Sequence, residues 1–262
     1  ATRLRRTGAF RSVSISEAET ISPGDRLDIN AAVVDAKRRR LGFGAEYSTM
    51  EGAAVSGYWM HRNLLGGAER LRIEASVSGI TGATGGVDYA LSADFERPAT
   101  FGTDISLILG GLVEHLDEPE FISDQLSLSV GMRRVLSKDL TGDISIEVRR
   151  SRIEDSLGRR QYDLLSLPVN LTWDKRDNML NPRKGHYLET QLRPFYAQGS
   201  VSSGGRLAID ARYYKALDQN KNTVAALRLQ LGSLFGPSVA SAPPDYLFYS
   251  GGGGTVRGQP YE

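Results

Sequence analysis

Between residues 41 and 231 apolar and polar side chains alternate with a period of two. Leu71, Ile73, Ala75 and Val77 stand opposite Arg70, Arg72, Glu74 and Ser76. Val87, Tyr89, Leu91, Ala93 and Phe95 stand opposite Asp88, Ser92, Asp94 and Glu96. Ile144, Ile146 and Val148 oppose Ser145, Glu147 and Arg149, and Leu207, Ile209, Ala211 and Tyr213 oppose Asp210, Arg212 and Tyr214. The same rhythm runs through 53–59, 105–109, 126–132, 165–173, 188–192 and 227–231. With 41–49 at the front, this predicts about eleven strands. No helical period interrupts them, which excludes folds built from βαβ units.

The polar face carries Arg, Glu and Asp in strand after strand. A sandwich core would be dry, and its outer face would still need covering. A transmembrane barrel, with an apolar outer band and a polar lumen, accounts for both faces. The expected fold class is therefore all-β: a transmembrane antiparallel β-barrel, here about eleven strands of it. Pro168 and Pro194 cannot donate to a ladder, so a bulge or irregularity is expected at each.

The connections also differ in kind. Tight turns are predicted at 62–67, 97–100, 137–139 and 218–222, and longer loops at 115–123 and from Phe235 onward. Short turns at one end and longer loops at the other suit a membrane barrel. Trp59, Phe95, Phe101 and Trp173 lie beside the predicted short turns, where an interfacial girdle would sit; ordinary core aromatics are the alternative.

Residues 1–36 read differently. Residues 2–7 suit the last turns of a helix with Gly8 as its stop. Phe10, Val13 and Ile15 alternate, as do Leu27, Ile29, Ala31 and Val33, across the turn Pro23-Gly24-Asp25. This predicts the end of a small α+β module. Lys37-Arg38-Arg39-Arg40 then marks a boundary, either a solvated linker or a cationic cluster at a membrane surface.

Composition narrows the picture. The 262 residues hold 32 Lys+Arg against 31 Asp+Glu, a balance that gives no nucleic-acid footprint. Without cysteine there is no disulfide framework, thiolate metal site or Cys nucleophile. No window is long and apolar enough for a transmembrane helix, which says nothing against a barrel. The chain begins without Met and stops within a loop, as a piece of a longer protein would. His61, His115 and His186 fall on separate connections, and no G-x-S-x-G occurs. Neither an enzyme, a metal site nor a cofactor is expected.

Two segments stand out. In the tail, Gly251, Gly252, Gly253 and Gly254 precede Val256, Arg257, Gly258 and Gln259. Such a run suits neither strand nor helix, and predicts a loop folded close to itself that delivers one guanidinium. A phosphate cradle would need a helix after the glycines, which Pro260 makes poor. The second segment holds Asp174, Arg176, Asp177, Asn178, Pro182 and Gly185. No Glu closes it as a calcium loop. Its polar side chains are expected to bond turn backbone and to pair with Arg176 or Arg183.

The segment from Trp173 to Tyr187 resembles the D-x-R-D-N-x-x-x-P-x-x-G motif of the BamA/TamA superfamily of outer-membrane assembly barrels. The tail resembles that family's sixth-loop motif, with Gln259 where the family has an aromatic. Arg62-Asn63-Leu64-Leu65-Gly66 resembles its first periplasmic turn, and 42–49 its first barrel strand. The front piece is similar to the end of the last POTRA domain. TamA-like members are the most similar in loop length and in the form of the tail; BamA itself and two-partner-secretion transporters remain open.

The resemblance implies residues 1–37 as the C-terminal part of a periplasmic POTRA domain and 38–262 as the N-terminal portion of a barrel that is sixteen-stranded in the family. It implies a Gram-negative outer-membrane location and a role in inserting client barrels, autotransporters among them, through a lateral seam. Leu41, Gly42, Phe43, Gly44, Ala45, Glu46 and Tyr47 would form the gate strand. Arg257 would dock the sixth loop on the inner wall, with Tyr261 a substitute for the missing aromatic. Unfolded client proteins, outer-membrane lipid and a TamB-like protein would be the partners, with no nucleic acid. A passive channel and an adhesive surface barrel are the competing classes.

Overall fold

The computed structural model describes all residues except 22, 23, 25, 50, 83, 84, 199–201, 219, 221, 222, 240 and 249–262. They cluster into two units, residues 1–119 with 128–134, and residues 120–127 with 135–262.

In the first unit, α1 (Thr2–Arg6) ends as expected at Gly8, whose φ of +70° turns the chain out of the helix. β1 (Phe10–Glu17) pairs antiparallel with β2 (Ile29–Asp35), with a register shift between Phe10 and Ser12. There follow β3 (Arg39–Ser48), β4 (Gly52–Arg62), β5 (Arg70–Ile80), β6 (Asp88–Gly102) and β7 (Ile105–Glu118). From β4 on, each pairs antiparallel with the strand before it.

β8 (Phe121–Val135) contributes residues to both units. The second unit continues with β9 (Leu140–Asp155), β10 (Gly158–Ser166), β11 (Val169–Asp174), β12 (Lys184–Gln198), β13 (Gly204–Ala216) and β14 (Val224–Phe235). β3 to β14 make up one twelve-stranded antiparallel sheet.

Eleven predicted strands become twelve because the one expected over 165–173 is two. The break falls at Leu167 and Pro168, yet the register does not slip. Ser166 opposes Phe195 and Val169 opposes Leu192, as an uninterrupted ladder would have it. Pro194 sits inside the unbroken β12, opposite Gly205. The two prolines thus open one gap in the β10–β12 ladder, and their carbonyls still accept from Leu167 and Ser145 N–H.

Two expected connections are strand instead. Residues 97–100 lie within β6, which runs to Gly102 with a register shift between Arg97 and Gly102. Ala99 there has φ +53°. Residues 115–118 belong to β7 and 121–123 to β8. The polar composition at these strand ends had read as loop. At 98–101 no residue pairs with β7, so the expected turn survives as a bulge within β6; at 115–118 the strand continues where polar residues suffice and the period of two has faded.

Burial is inverted relative to a soluble sheet. Along the middle of β8 the exposed residues are Leu126, Leu128, Val130 and Met132, and in the first half of β9 they are Ile144, Ile146 and Val148. Their polar neighbours are the more covered, down to Arg149 at 5% exposure.

Candidate functional site

β3 is an edge strand within its unit. All ten of its residues pair with β4, from Arg39 opposite His61 to Ser48 opposite Gly52, and no strand pairs with its other side among the described residues. Leu41, Phe43 and Tyr47 are exposed, Phe43 at 85%. Its glycines are occupied by neighbours across the ladder. A Cβ on Gly42 would overlap the Tyr58 ring, and one on Gly44 would stand 2.8 Å from Ser56 Oγ. In return Phe43 covers Gly57, where a Cβ would lie 3.3 Å from its ring. Gly42 opposes Tyr58 and Phe43 opposes Gly57, so each strand offers one glycine and one aromatic, on opposite faces. An aromatic laid over a glycine supplies the packing that the glycine lacks. Tyr58 is in turn held by the guanidinium of Arg72 at 4.1 Å, and Arg72 pairs with Glu74 at 2.7 Å.

The turn after β4 explains the Arg62-Asn63-Leu64-Leu65-Gly66 segment. Glu69, 2% exposed, accepts from the N–H groups of Leu65 and Gly67 at 3.1 and 3.0 Å. Asn63 Oδ1 accepts from Ala68 N–H at 2.9 Å. Burial pushes the Glu69 carboxyl up, but these donors and Arg97 outweigh it and hold it below the usual range.

The turn after β11 is closed by its own motif. Arg176 makes a fork on Asp174, Nε to Oδ1 at 2.9 Å and Nη2 to Oδ2 at 2.7 Å. Asp177 Oδ1 accepts from Asn178, Arg183 and Lys184 N–H at 2.9–3.1 Å. Asn178 Oδ1 accepts from Leu180 and Asn181 N–H. Gly185, at φ +111°, passes so close to the Lys175 carbonyl that a Cβ would overlap it. Pro182 lies in the same turn. The backbone N–H donors hold the Asp177 carboxyl below its ordinary range. As expected, Asp174 pairs with Arg176; Asp177 and Asn178 serve the backbone. The Arg176 guanidinium then lies 4.7 Å from the Tyr187 ring centroid.

On the polar face of β9, β10, β12 and β13 the structure builds a site that sequence reasoning missed. The segment after β14 folds onto it. Tyr246, 2% exposed, joins Ile153, Tyr162, Leu164, Phe195 and Ala197 in a buried cluster. Its ring is edge-on to Phe195 at 5.2 Å, with the guanidinium groups of Arg149 and Arg193 at 5.2 and 5.8 Å. Arg206 Nε donates to the Tyr246 carbonyl at 3.2 Å, and Tyr162 Oη to that of Ala242 at 3.4 Å. Asp245 pairs with Arg149. Phe248 covers Gly232, and Arg206 stacks on it at 4.3 Å. The available signal was Pro243-Pro244-Asp245-Tyr246 just ahead of the glycine run, with arginines on the polar face of three strands. Gly251, Gly252, Gly253, Gly254, Val256, Arg257, Gly258, Gln259 and Tyr261 lie outside the described residues.

An apolar, exposed sheet face backed by a polar, ion-paired one defines a β-sheet membrane protein. The Omp85 superfamily domain matches residues 63–261, well over half of the chain, and the chain belongs to that superfamily of outer-membrane barrels. Its fold is similar to that of BamA from Haemophilus ducreyi lacking POTRA domains 1–3, with TM-score 0.77, 16% identity and 98% of this chain covered. CdiB from Acinetobacter baumannii gives 0.65, 11% and 98%. The chain spans about half of these structures, 52% and 49% of their lengths.

Proposed function

We propose that the protein is a TamA-like assembly factor that inserts and folds client outer-membrane barrels, autotransporters among them, through a lateral seam at β3. The observation that carries this is the make-up of β3, which is fully paired with β4 and built with Gly42 and Gly44 where β4 lays Tyr58 and Ser56 against them. Glycine weakens a strand's hold on its closing partner, and where that seam opens the edge offers N–H and C=O groups to which a client strand adds. Nothing chemical is made or broken. Residues 1–37 would be the end of a POTRA domain in the periplasm, handing on clients with a TamB-like partner. Arg257 would hold the sixth loop inside the lumen, continuing the docking begun by Tyr246.

The test is a disulfide joining β3 to the barrel's closing strand in the full-length protein, reconstituted in liposomes with an unfolded autotransporter. Client folding should fall when the lock is oxidised and return on reduction. Full activity in the locked protein would sink the proposal. Similarity to CdiB supports a second reading, a two-partner-secretion transporter whose client leaves through the lumen; the locked protein would then still export. A passive pore would conduct ions while leaving client folding unchanged.

A further inference from the structure

Three lysines gather at one end of the apolar face of β11–β13. Lys184 and Lys215 are direct partners in the β12–β13 ladder, two pairs beyond His186 and Tyr213. The period of two puts these four side chains on the face shared with Leu188 and Leu192. Lys175 Nζ lies 5.3 Å from the Trp173 ring centroid, and Trp173 is edge-on to His186 at 4.6 Å. A cavity of about 400 Å³ opens here, lined by Lys184, Gly185, Tyr213, Tyr214, Lys215 and Ala216.

Like charges placed directly opposite each other weaken a ladder. Among the described residues none of these lysines is in an ion pair, and the neighbouring acids are engaged elsewhere. Asp174 holds Arg176, Asp177 holds turn backbone, Asp210 holds Arg212 and Arg228, and Asp218 accepts from Thr223 N–H. Trp and Tyr on a lipid-facing surface mark the headgroup level, so the lysines beside Trp173 and Tyr213 stand where lipid phosphates lie. An anion between Lys184 and Lys215 would turn a repulsion into two attractions.

We propose that Lys184 and Lys215, with Lys175 beside them, bind the phosphate headgroup of an anionic phospholipid at the periplasmic rim of the barrel. The inference rests on the outer-membrane orientation adopted under the proposed function. The cluster would fix the height of β12 and β13 in the membrane.

Trp173 is made the single tryptophan of the full-length protein by replacing every other one with Phe, Trp59 among them. The full-length protein carrying it is placed in phosphatidylcholine vesicles containing phosphatidylglycerol, with one lipid at a time brominated on its acyl chains near the headgroup. Quenching by brominated phosphatidylglycerol should exceed that by brominated phosphatidylcholine at equal mole fraction. Lys184→Gln with Lys215→Gln should reduce the preference by about five-fold for each lysine, and Lys184→Arg with Lys215→Arg should keep it. Equal quenching by both lipids in the parent protein overturns the lipid site while leaving the membrane reading intact. No quenching by either overturns the orientation itself. Loss of the preference on adding inorganic phosphate, but not chloride of equal ionic strength, would mean a free-phosphate site and overturn the lipid assignment.

Discussion

The β3–β4 hairpin and the wall of β9, β10, β12 and β13 are the same kind of structure put to opposite uses. Both are antiparallel ladders with one apolar and one polar face. At the hairpin the packing is thin: glycine meets aromatic across a single pair of strands, and Phe43 is exposed. At the wall four strands and a returning segment enclose Tyr162 and Tyr246 completely or nearly so, at 0% and 2% exposure. A sheet becomes rigid where side chains from a third element close its polar face. It stays adaptable where only its own strands' bonds and side chains hold it.

The largest effect should come from opening the wall. Tyr246→Ala removes a buried ring from the cluster, at a cost of roughly 3–5 kcal/mol, and leaves Arg149 and Arg193 without the ring they flank. Segment 237–248 should become cleavable by external protease, with little change in β3. Unchanged protection would show that Asp245 and Phe248 suffice. At the hairpin, Gly42→Ala forces Tyr58 aside and should cost about 1–3 kcal/mol in urea unfolding from vesicles. Gly57→Ala, with a gentler approach to Phe43, should cost less. In Gly42→Ala with Tyr58→Ala the clash disappears, so the two costs should fall short of additive. Strict additivity would mean that Tyr58 is not what Gly42 accommodates.

These two regions were not equally legible in the sequence. The strands and their hairpin order followed from alternation, and the Asp174–Gly185 turn from local chemistry, since Asp174 and Asp177 bond within a few residues of themselves. The Tyr246 cluster did not. It joins residues as far apart as Asp245 and Arg149, and an inward arginine on a strand looks the same whether it faces water or a returning loop. The prolines were read as irregularities, but only the structure shows that Pro168 and Pro194 share one gap. Where β7 runs past its apolar stretch, at 115–118, periodicity gave out before the strand did.

A third test asks how far local turn chemistry supports the wall. Asp177→Ala removes the acceptor for Asn178, Arg183 and Lys184 N–H. Hydrogen exchange at Arg183 and Lys184 should quicken by roughly tenfold, while segment 237–248 stays protected. The Asp177 carboxyl is held below its ordinary value in the folded protein. Its contribution is therefore complete above that ordinary value, near pH 4, and is lost as pH falls through the lower, folded one. Acidification should reproduce the mutant's exchange pattern at this turn, and the mutant itself should show no such acid response there.

The smallest effect belongs to the front piece. Arg3 and Arg6 of α1 share Asp104, in the turn between β6 and β7, with Arg3 making a fork at 3.2 and 2.7 Å. Bonds from the two arginines hold the Asp104 carboxyl below its ordinary range. The arginines are themselves substantially exposed, so salt screens the cluster and its strength is that of a surface contact. Asp104→Asn should leave the unfolding of both regions unchanged within error, while raising the protease sensitivity of α1 at low salt and not at high salt. A loss that persists at high salt would mean that Asp104 holds the helix through geometry rather than charge. A loss at the β3–β4 hairpin would mean that the front piece reaches β3, and the hairpin could then no longer be read as held by its own strands and Arg72 alone.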